Sequence, residues 1–284
     1  MTRLVDEIRS AKQRLVLGEK GMLVRVEATS GSAPRDGDAA MLVFAYDSIG
    51  TIGGGALEHG AINRARAALM ANQPAPDNET IPLGPAIGQC CGGSVRLRYS
   101  MVDAGNAASL DQWLEALEAG RGVLWLFGAG HVGQAVVRAL EPLDIDVTWI
   151  DSRPGVAGGL GEDLPIVTAR APHLEVASIP SDSMVLVMTH SHAQDFDIVH
   201  AALGRADLPF VGLIGSATKR ARFLSRLKAR GHGGHALSRL VCPIGVEGIS
   251  GKQPAVIAAS VAAQILRYRE QALADRGVPM SLSG

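Results

Sequence analysis

The stretch GVLWLFGAGHVGQAVVRALEPLDIDVTWIDSRPG, residues 122–155, constrains the fold more than any other part of the chain. An apolar strand runs straight into a glycine turn, the turn opens a helix with an apolar face, and a second apolar strand follows. That order spells one βαβ unit of a parallel sheet. Within it Gly128, Gly130 and Gly133 stand in G-x-G-x-x-G spacing. The first glycine permits the turn, the second lets backbone approach a pyrophosphate, and the third lets helix and strand pack closely, with the helix N-terminus toward the anion. Asp151 ends the second strand eighteen residues beyond Gly133, where an acid can bond a ribose hydroxyl. Asp151 therefore argues for NAD over NADP, whereas the nearby Arg153 is of the kind that holds a 2′-phosphate. Glycine turns also occur in nucleotide-free sheets, so a purely structural turn stays open as the other reading.

The alternation continues downstream. Buried-strand runs at 183–189 (SMVLVMT) and 210–215 (FVGLIG) each lead into a helix, which extends the expected doubly wound parallel sheet to about residue 245. Just past the first of these runs, MTHSHAQD places Thr189, His190, Ser191, His192 and Asp195 where open parallel sheets put their ligands. Two histidines two apart with an aspartate nearby could bind metal, and a ligand-facing polar loop is the favoured reading. After the second run, GLIGSATKRARF starts a helix at Ser216 or Thr218 with Lys219, Arg220 and Arg222 in its first turns. Cations there oppose the helix dipole, a cost that an anionic partner would offset. A solvated basic face is the alternative. PAVIAASVAAQILRYREQAL closes the pattern as an apolar helix with Pro254 at its N-terminus.

The first part of the chain has a different grammar. Residues 4–17 read as an amphipathic helix ending near Gly18, 21–29 as a strand, and AAMLVFAYDSIGTI as two further strands joined at YDS. Three consecutive glycines, Gly53, Gly54 and Gly55, then run into a helix that includes Glu58, a backbone suited to close approach of a ligand or another chain. Between the first strands, Ser30, Gly31, Ser32, Pro34 and Arg35 form a loop able to present N–H groups and a guanidinium to a phosphate, or to serve as an ordinary turn. The expected fold class is α/β: a small N-terminal α/β domain over 1–104, a connecting helix at 105–120, and a Rossmann-like doubly wound parallel-sheet domain with a C-terminal helix over 121–284.

Composition excludes several classes of function. With 47% hydrophobic and 19% charged residues the chain has the profile of a folded protein, not of a disordered one. Lysine and arginine number 27 against 28 acidic residues, so no global basic field exists to hold nucleic acid or an anionic membrane. Charges interrupt the N-terminal segment, and no apolar run approaches the roughly 18 residues of a membrane span, so a cytoplasmic location is expected. Three cysteines in 284 residues are no disulfide framework. Cys242 reads as a small buried hydrophobe. Cys90 and Cys91 are adjacent, which makes a poor disulfide, and sit in the glycine-rich AIGQCCGGSV. Backbone donors in such a loop lower thiol pKa and suit a soft metal or sulfur transfer.

Taken together, GSAPR, GTIGGGALE, LGPAIGQCCGG, FGAGHVG, MTHSHAQD, IGSATKRARF and CPIGVEGISGKQPAVIAASVAAQIL resemble the xanthine dehydrogenase accessory proteins of the XdhC/CoxI family, in the expected order over nearly the whole chain. The GTIGGG and QCCGG forms are similar to the xanthine dehydrogenase branch rather than the carbon monoxide dehydrogenase branch. The resemblance implies a chaperone for purine catabolism, more a cofactor-insertion factor than an enzyme. Such a factor binds molybdenum cofactor (molybdopterin), protects it while a cysteine desulfurase supplies the terminal sulfido ligand, and delivers it to the molybdenum subunit of xanthine dehydrogenase. On this resemblance Cys90 and Cys91 are the metal ligands, with Gly53, Gly54, Gly55, Glu58, Ser32 and Arg35 as neighbours, and a homodimer is expected. Gly128, Gly130, Gly133, Asp151, His190 and His192 complete the cofactor-binding set, with NAD(P) as a possible nucleotide. The rival from another class is an NAD(P)-dependent oxidoreductase whose first domain carries substrate. Against it, no proton donor is evident beyond His190 and His192. A regulatory nucleotide sensor is the third reading.

Overall fold

A computed structural model describes residues 4–31, 39–71, 73, 78–83, 93–156 and 166–275. The chain divides between Gly120 and Arg121 into two compact units.

The first unit is built on an antiparallel sheet of β1 (Gly21–Ser30), β2 (Ala40–Val43), β3 (Ser48–Gly50), β4 (Asn78–Pro82) and β5 (Ser94–Val102), in the order β3-β2-β1-β5-β4. Period-two alternation gives this sheet two apolar faces. Met22, Val24 and Val26 of β1 turn to one side, where Leu57, Ala61 and Ala65 of α2 (Gly55–Ala71) cover them. Leu23 turns to the other side with Leu42 and Phe44, under α1 (Leu4–Val16) and α3 (Asp111–Ala119). The expected opening helix, first strand and β2–β3 hairpin are all present. β4 and β5 go beyond the sequence-based expectation, although β5 alternates Val95, Leu97 and Tyr99 with Arg96, Arg98 and Ser100 as a half-buried strand should. β5 is the long antiparallel partner of β1, from Gly21↔Val102 to Ser30↔Ser94. Residues 107–119, a short 3₁₀ turn and α3, pack into this unit through Ala107, Leu110, Trp113, Leu114 and Leu117.

The second unit holds β6 (Gly122–Phe127), β7 (Ile145–Asp151), β8 (Ile166–Thr168), β9 (Met184–Val187), β10 (Phe210–Leu213) and β11 (Leu240–Val241). All are parallel, in the order β8-β7-β6-β9-β10-β11. The chain steps outward from β6 through β7 to β8, then returns to the other flank of β6 to lay down β9, so strand order reverses between β6 and β9. Both faces are apolar, as a sheet covered on each side requires. Leu124, Leu126 and Leu186 pack with Val136 and Leu140 of α4 (His131–Leu140) and with Val261 and Ile265 of α9 (Pro254–Asp275). On the opposite face Phe127, Val185, Val187 and Leu213 meet Phe196 and Val199 of α6 (His192–Gly204) and Phe223 and Leu227 of α7 (Ala217–Ala229). The short helices α5 (Pro172–Glu175) and α8 (Gly234–Ser238) complete the unit. Among the described residues no helix is long and apolar enough to cross a membrane.

Leu42 is fully buried, so Leu42→Ala is expected to lower unfolding free energy by about 2–5 kcal/mol in urea titration. Tyr46→Ala, at a residue 94% exposed, should stay within about 0.5 kcal/mol of the parent chain.

Candidate functional site

The carboxyl ends of β6, β7, β9 and β10 bring together Asp151, Arg153, Thr189, His190, His192, Asp195 and Lys219. At the exit of β6 the three glycines divide their tasks as their spacing predicts. Gly128 has φ +117°, and a Cβ there would lie 2.3 Å from the Met188 carbonyl oxygen, so the turn runs flush against the chain leaving β9. A Cβ on Gly133 would lie 2.2 Å from the Gly128 carbonyl oxygen, so α4 and β6 could not pack as they do. Gly130 differs: nothing stands within 4 Å of a Cβ built there. It is the N-cap of α4 and supplies no side-chain acceptor to the first N–H groups, whereas the Ser191 and Ser216 hydroxyls cap α6 and α7. The first turn of α4 thus presents uncapped donors beside open space, which fits the phosphates of a nucleotide.

Asp151 ends β7 and is almost fully buried. Its Oδ2 accepts from Ala129 N at 2.7 Å and from Arg153 Nη2 at 2.9 Å, while Oδ1 accepts from Arg153 N at 2.9 Å and Nε at 3.0 Å. Burial pushes this carboxyl up, but the Arg153 side chain and the two backbone N–H donors outweigh it and hold the group below the usual carboxylate range. The turn is fastened a second time by Trp149 Nε1, which donates to the Gly128 carbonyl at 3.0 Å. No sequence pattern signals that bond.

Past β9, Thr189, His190 and His192 open onto a cleft of about 980 Å³ also lined by Ser216, Thr218, Lys219, Arg222 and Arg226. His190 and His192 are exposed on its wall. Asp195 does not join them: it is fully buried and accepts from Thr189 N at 2.9 Å, Thr189 Oγ1 at 2.7 Å and Lys219 Nζ at 2.6 Å. Lys219 also donates to the Ile214 carbonyl at 2.9 Å. The anion that offsets this cation at the start of α7 is therefore a residue of the chain itself. Among the described residues no three histidine, cysteine, aspartate or glutamate side chains converge as a metal site. Ser152 and Gln194 hydrogen bond at 2.9 Å and tie the β7 exit to α6.

In the first unit, strand register brings three connections to one end of the sheet. β1 and β5 meet there at Ser30↔Ser94, β4 ends at Pro82↔Ser94, and β3 ends at Gly50↔Met41. The stems of 31–39, 51–54 and 83–93 all leave from that end. Ser32, Arg35, Cys90 and Cys91 lie outside the described residues. In the described connection Gly53, Gly54 and Gly55 all have positive φ, 121°, 74° and 65°. Glu58, in the first turn of α2, turns its Oε2 back into this loop and accepts from the Thr51 hydroxyl, from Ile52 N at 3.0 Å and from Gly54 N at 3.1 Å. Donors expected to serve a ligand thus bind the chain's own carboxylate, and the helix dipole favours that charge. Cys242 is buried, and burial pushes its thiol up.

These features define a two-part protein, an antiparallel α/β unit with a glycine-rich end followed by a Rossmann unit whose glycine turn opens onto free space at the α4 N-terminus. Residues 124–265, half of the chain, match the XdhC Rossmann domain, and residues 16–80 match the XdhC and CoxI family; the chain belongs to the XdhC family. It is similar to YqeB of Escherichia coli K12, an uncharacterized protein, with 28% identity over 260 residues. The match takes in 88% of this chain and 44% of YqeB, so the chain spans under half of that relative's length. Its fold is similar to that of a Bacillus halodurans protein described as a xanthine dehydrogenase, with TM-score 0.78 and 18% identity over 95% of this chain and 96% of the other.

The glycines should separate on substitution. Gly133→Ala is expected to cost about 3 kcal/mol because backbone must shift, while Gly130→Ala stays within about 0.5 kcal/mol in thermal and urea unfolding. Lys219→Met, which strands the buried Asp195 carboxylate, is expected to cost about 3–5 kcal/mol in the same assays.

Proposed function

We propose that this chain is an accessory protein of xanthine dehydrogenase. It binds molybdenum cofactor through the glycine-rich end of its first unit, holds it while a cysteine desulfurase supplies the terminal sulfido ligand, and hands it to the dehydrogenase. The observation that carries this reading is the strand order of the first unit. It brings the stems of 31–39, 51–54 and 83–93 to one end of the sheet, and these connections carry Ser32, Arg35, Gly53, Gly54, Cys90 and Cys91. Thiolates suit molybdenum or persulfide chemistry, and glycine backbone admits a phosphate closely. Membership of the XdhC family supports the choice of client enzyme. The second unit binds a nucleotide at the α4 N-terminus, a reading supported by the open space beside Gly130. The protein acts as a cytoplasmic homodimer.

The Cys90→Ala, Cys91→Ala double variant is expected to lose at least tenfold in affinity for molybdenum cofactor, followed by absorbance and fluorescence titration, with unchanged circular dichroism. Unaltered affinity would remove the thiols from the site. Cys242→Ala should bind as the parent chain does. Gly130→Val is expected to weaken nucleotide binding at least tenfold in direct titration without loss of folded protein, since its side chain would enter the space beside the α4 N-terminus.

A further inference from the structure

We propose that the second unit prefers a nucleotide whose ribose carries a 2′-phosphate, of the NADP(H) type, over NAD(H), and that Arg153 makes the choice. The inference rests on the reading that this unit binds a nucleotide. In parallel sheets of this order the acid at the end of the second strand accepts the ribose hydroxyls of NAD, so the state of its oxygens decides whether that contact can form. A carboxylate offers about four lone-pair sites. In Asp151 four donors already occupy them: Ala129 N and Arg153 Nη2 on Oδ2, and Arg153 N and Nε on Oδ1. The side chain is 1% exposed, which leaves no open flank for a further donor. A ribose diol brought here would have to break a charge-assisted bond or leave its own hydroxyls unpaired.

Arg153 stands on the outer side of the pair. Its side chain is 40% exposed, and its Nη1 takes no part in the bonds to Asp151. The guanidinium plane is therefore fixed by its buried edge while further donors remain for an anion, the arrangement that suits a phosphate monoester. Asp151 acts as an internal counter-ion: it orients Arg153 and is shielded by it, so an incoming phosphate meets cation first. The Ser152–Gln194 hydrogen bond at 2.9 Å fixes the residue between them to α6, which limits how far Arg153 can swing away.

The test is a calorimetric titration of the full chain with NADP⁺ and NAD⁺ at one ionic strength, on the parent protein and on Arg153→Ala and Arg153→Lys. The parent chain is expected to bind NADP⁺ at least tenfold more tightly than NAD⁺. Arg153→Ala should lose at least tenfold for NADP⁺ and hold or gain affinity for NAD⁺, because two of the four bonds to Asp151, those from Nε and Nη2, come from the arginine side chain and their loss frees lone pairs for a ribose diol. Arg153→Lys keeps the charge without the planar fork and should lose most of the preference. It also guards against an Arg153→Ala chain that fails to fold, which thermal melting would reveal. Equal affinities in the parent chain, a preference for NAD⁺, or a ratio unmoved by both variants overturns the role of Arg153 and leaves nucleotide binding standing. If the parent chain and both variants bind neither dinucleotide, the nucleotide reading itself falls and takes this inference with it.

Discussion

The carboxylate of Asp151 is the contact on which the second unit's carboxyl edge depends. It ends β7, and through Ala129 N it holds the turn that leaves β6, so two strands and the helix between them share one buried anion. The turn has little freedom to sit elsewhere, because Gly128 lies flush against the Met188 carbonyl and Gly133 against its own turn. One charge and two glycines thereby set the height of the α4 N-terminus over the sheet, where uncapped N–H groups face open space. Without the bond from Ala129, a buried carboxylate and a backbone N–H would each lose a partner, a loss greater than that of an ordinary neutral hydrogen bond.

The first unit repeats the device with other parts. Glu58 is to the GTIGGG turn what Asp151 is to the GAGHVG turn, an acid that accepts from the turn's backbone: Glu58 from the first turn of the helix that follows, at Ile52 N and Gly54 N, and Asp151 from the end of the neighbouring strand, at Ala129 N. Glycine loops with positive φ have a large entropy to lose on folding, and an internal anion that gathers their donors offsets it. The difference lies in what remains. Around Glu58 the loop's described donors turn inward, while from the β6–α4 turn Asp151 takes only the Ala129 N–H and the helix N-terminus stays clear. The two glycine-rich turns are alike in sequence and unlike in what they offer a ligand.

A third acid, Asp195, shows how far charge can be misread from position. Lys219 and Arg220 at the start of α7 oppose the helix dipole, and on sequence grounds they invite an external anion. In the fold Lys219 reaches across to Asp195 on α6 and is largely buried with it, so part of that basic turn is consumed in joining two helices. What is left facing the cleft is Arg222, Arg226 and the exposed His190 and His192.

The sequence by itself determined the parallel-sheet class of the second unit and its four central strands, but not the short edge strands β8 and β11, because strand, turn and helix are written in short-range periodicity: apolar runs for strands buried on both faces, and glycine where a Cβ would strike backbone. Its legibility declined in the first unit. There the β2–β3 hairpin and α2 could be read locally, but β5, despite its alternation, takes its place beside β1 through pairing across the whole of residues 31–93. Tertiary structure alone decided which polar groups were already spent. Asp151, Glu58 and Asp195 all looked available to a ligand as letters in a string, and each proved to be bonded within the chain. The reason is physical: periodicity follows from backbone geometry within a few residues, whereas the occupancy of a carboxylate's lone pairs depends on donors such as Ala129 and Lys219 that only folding brings into reach.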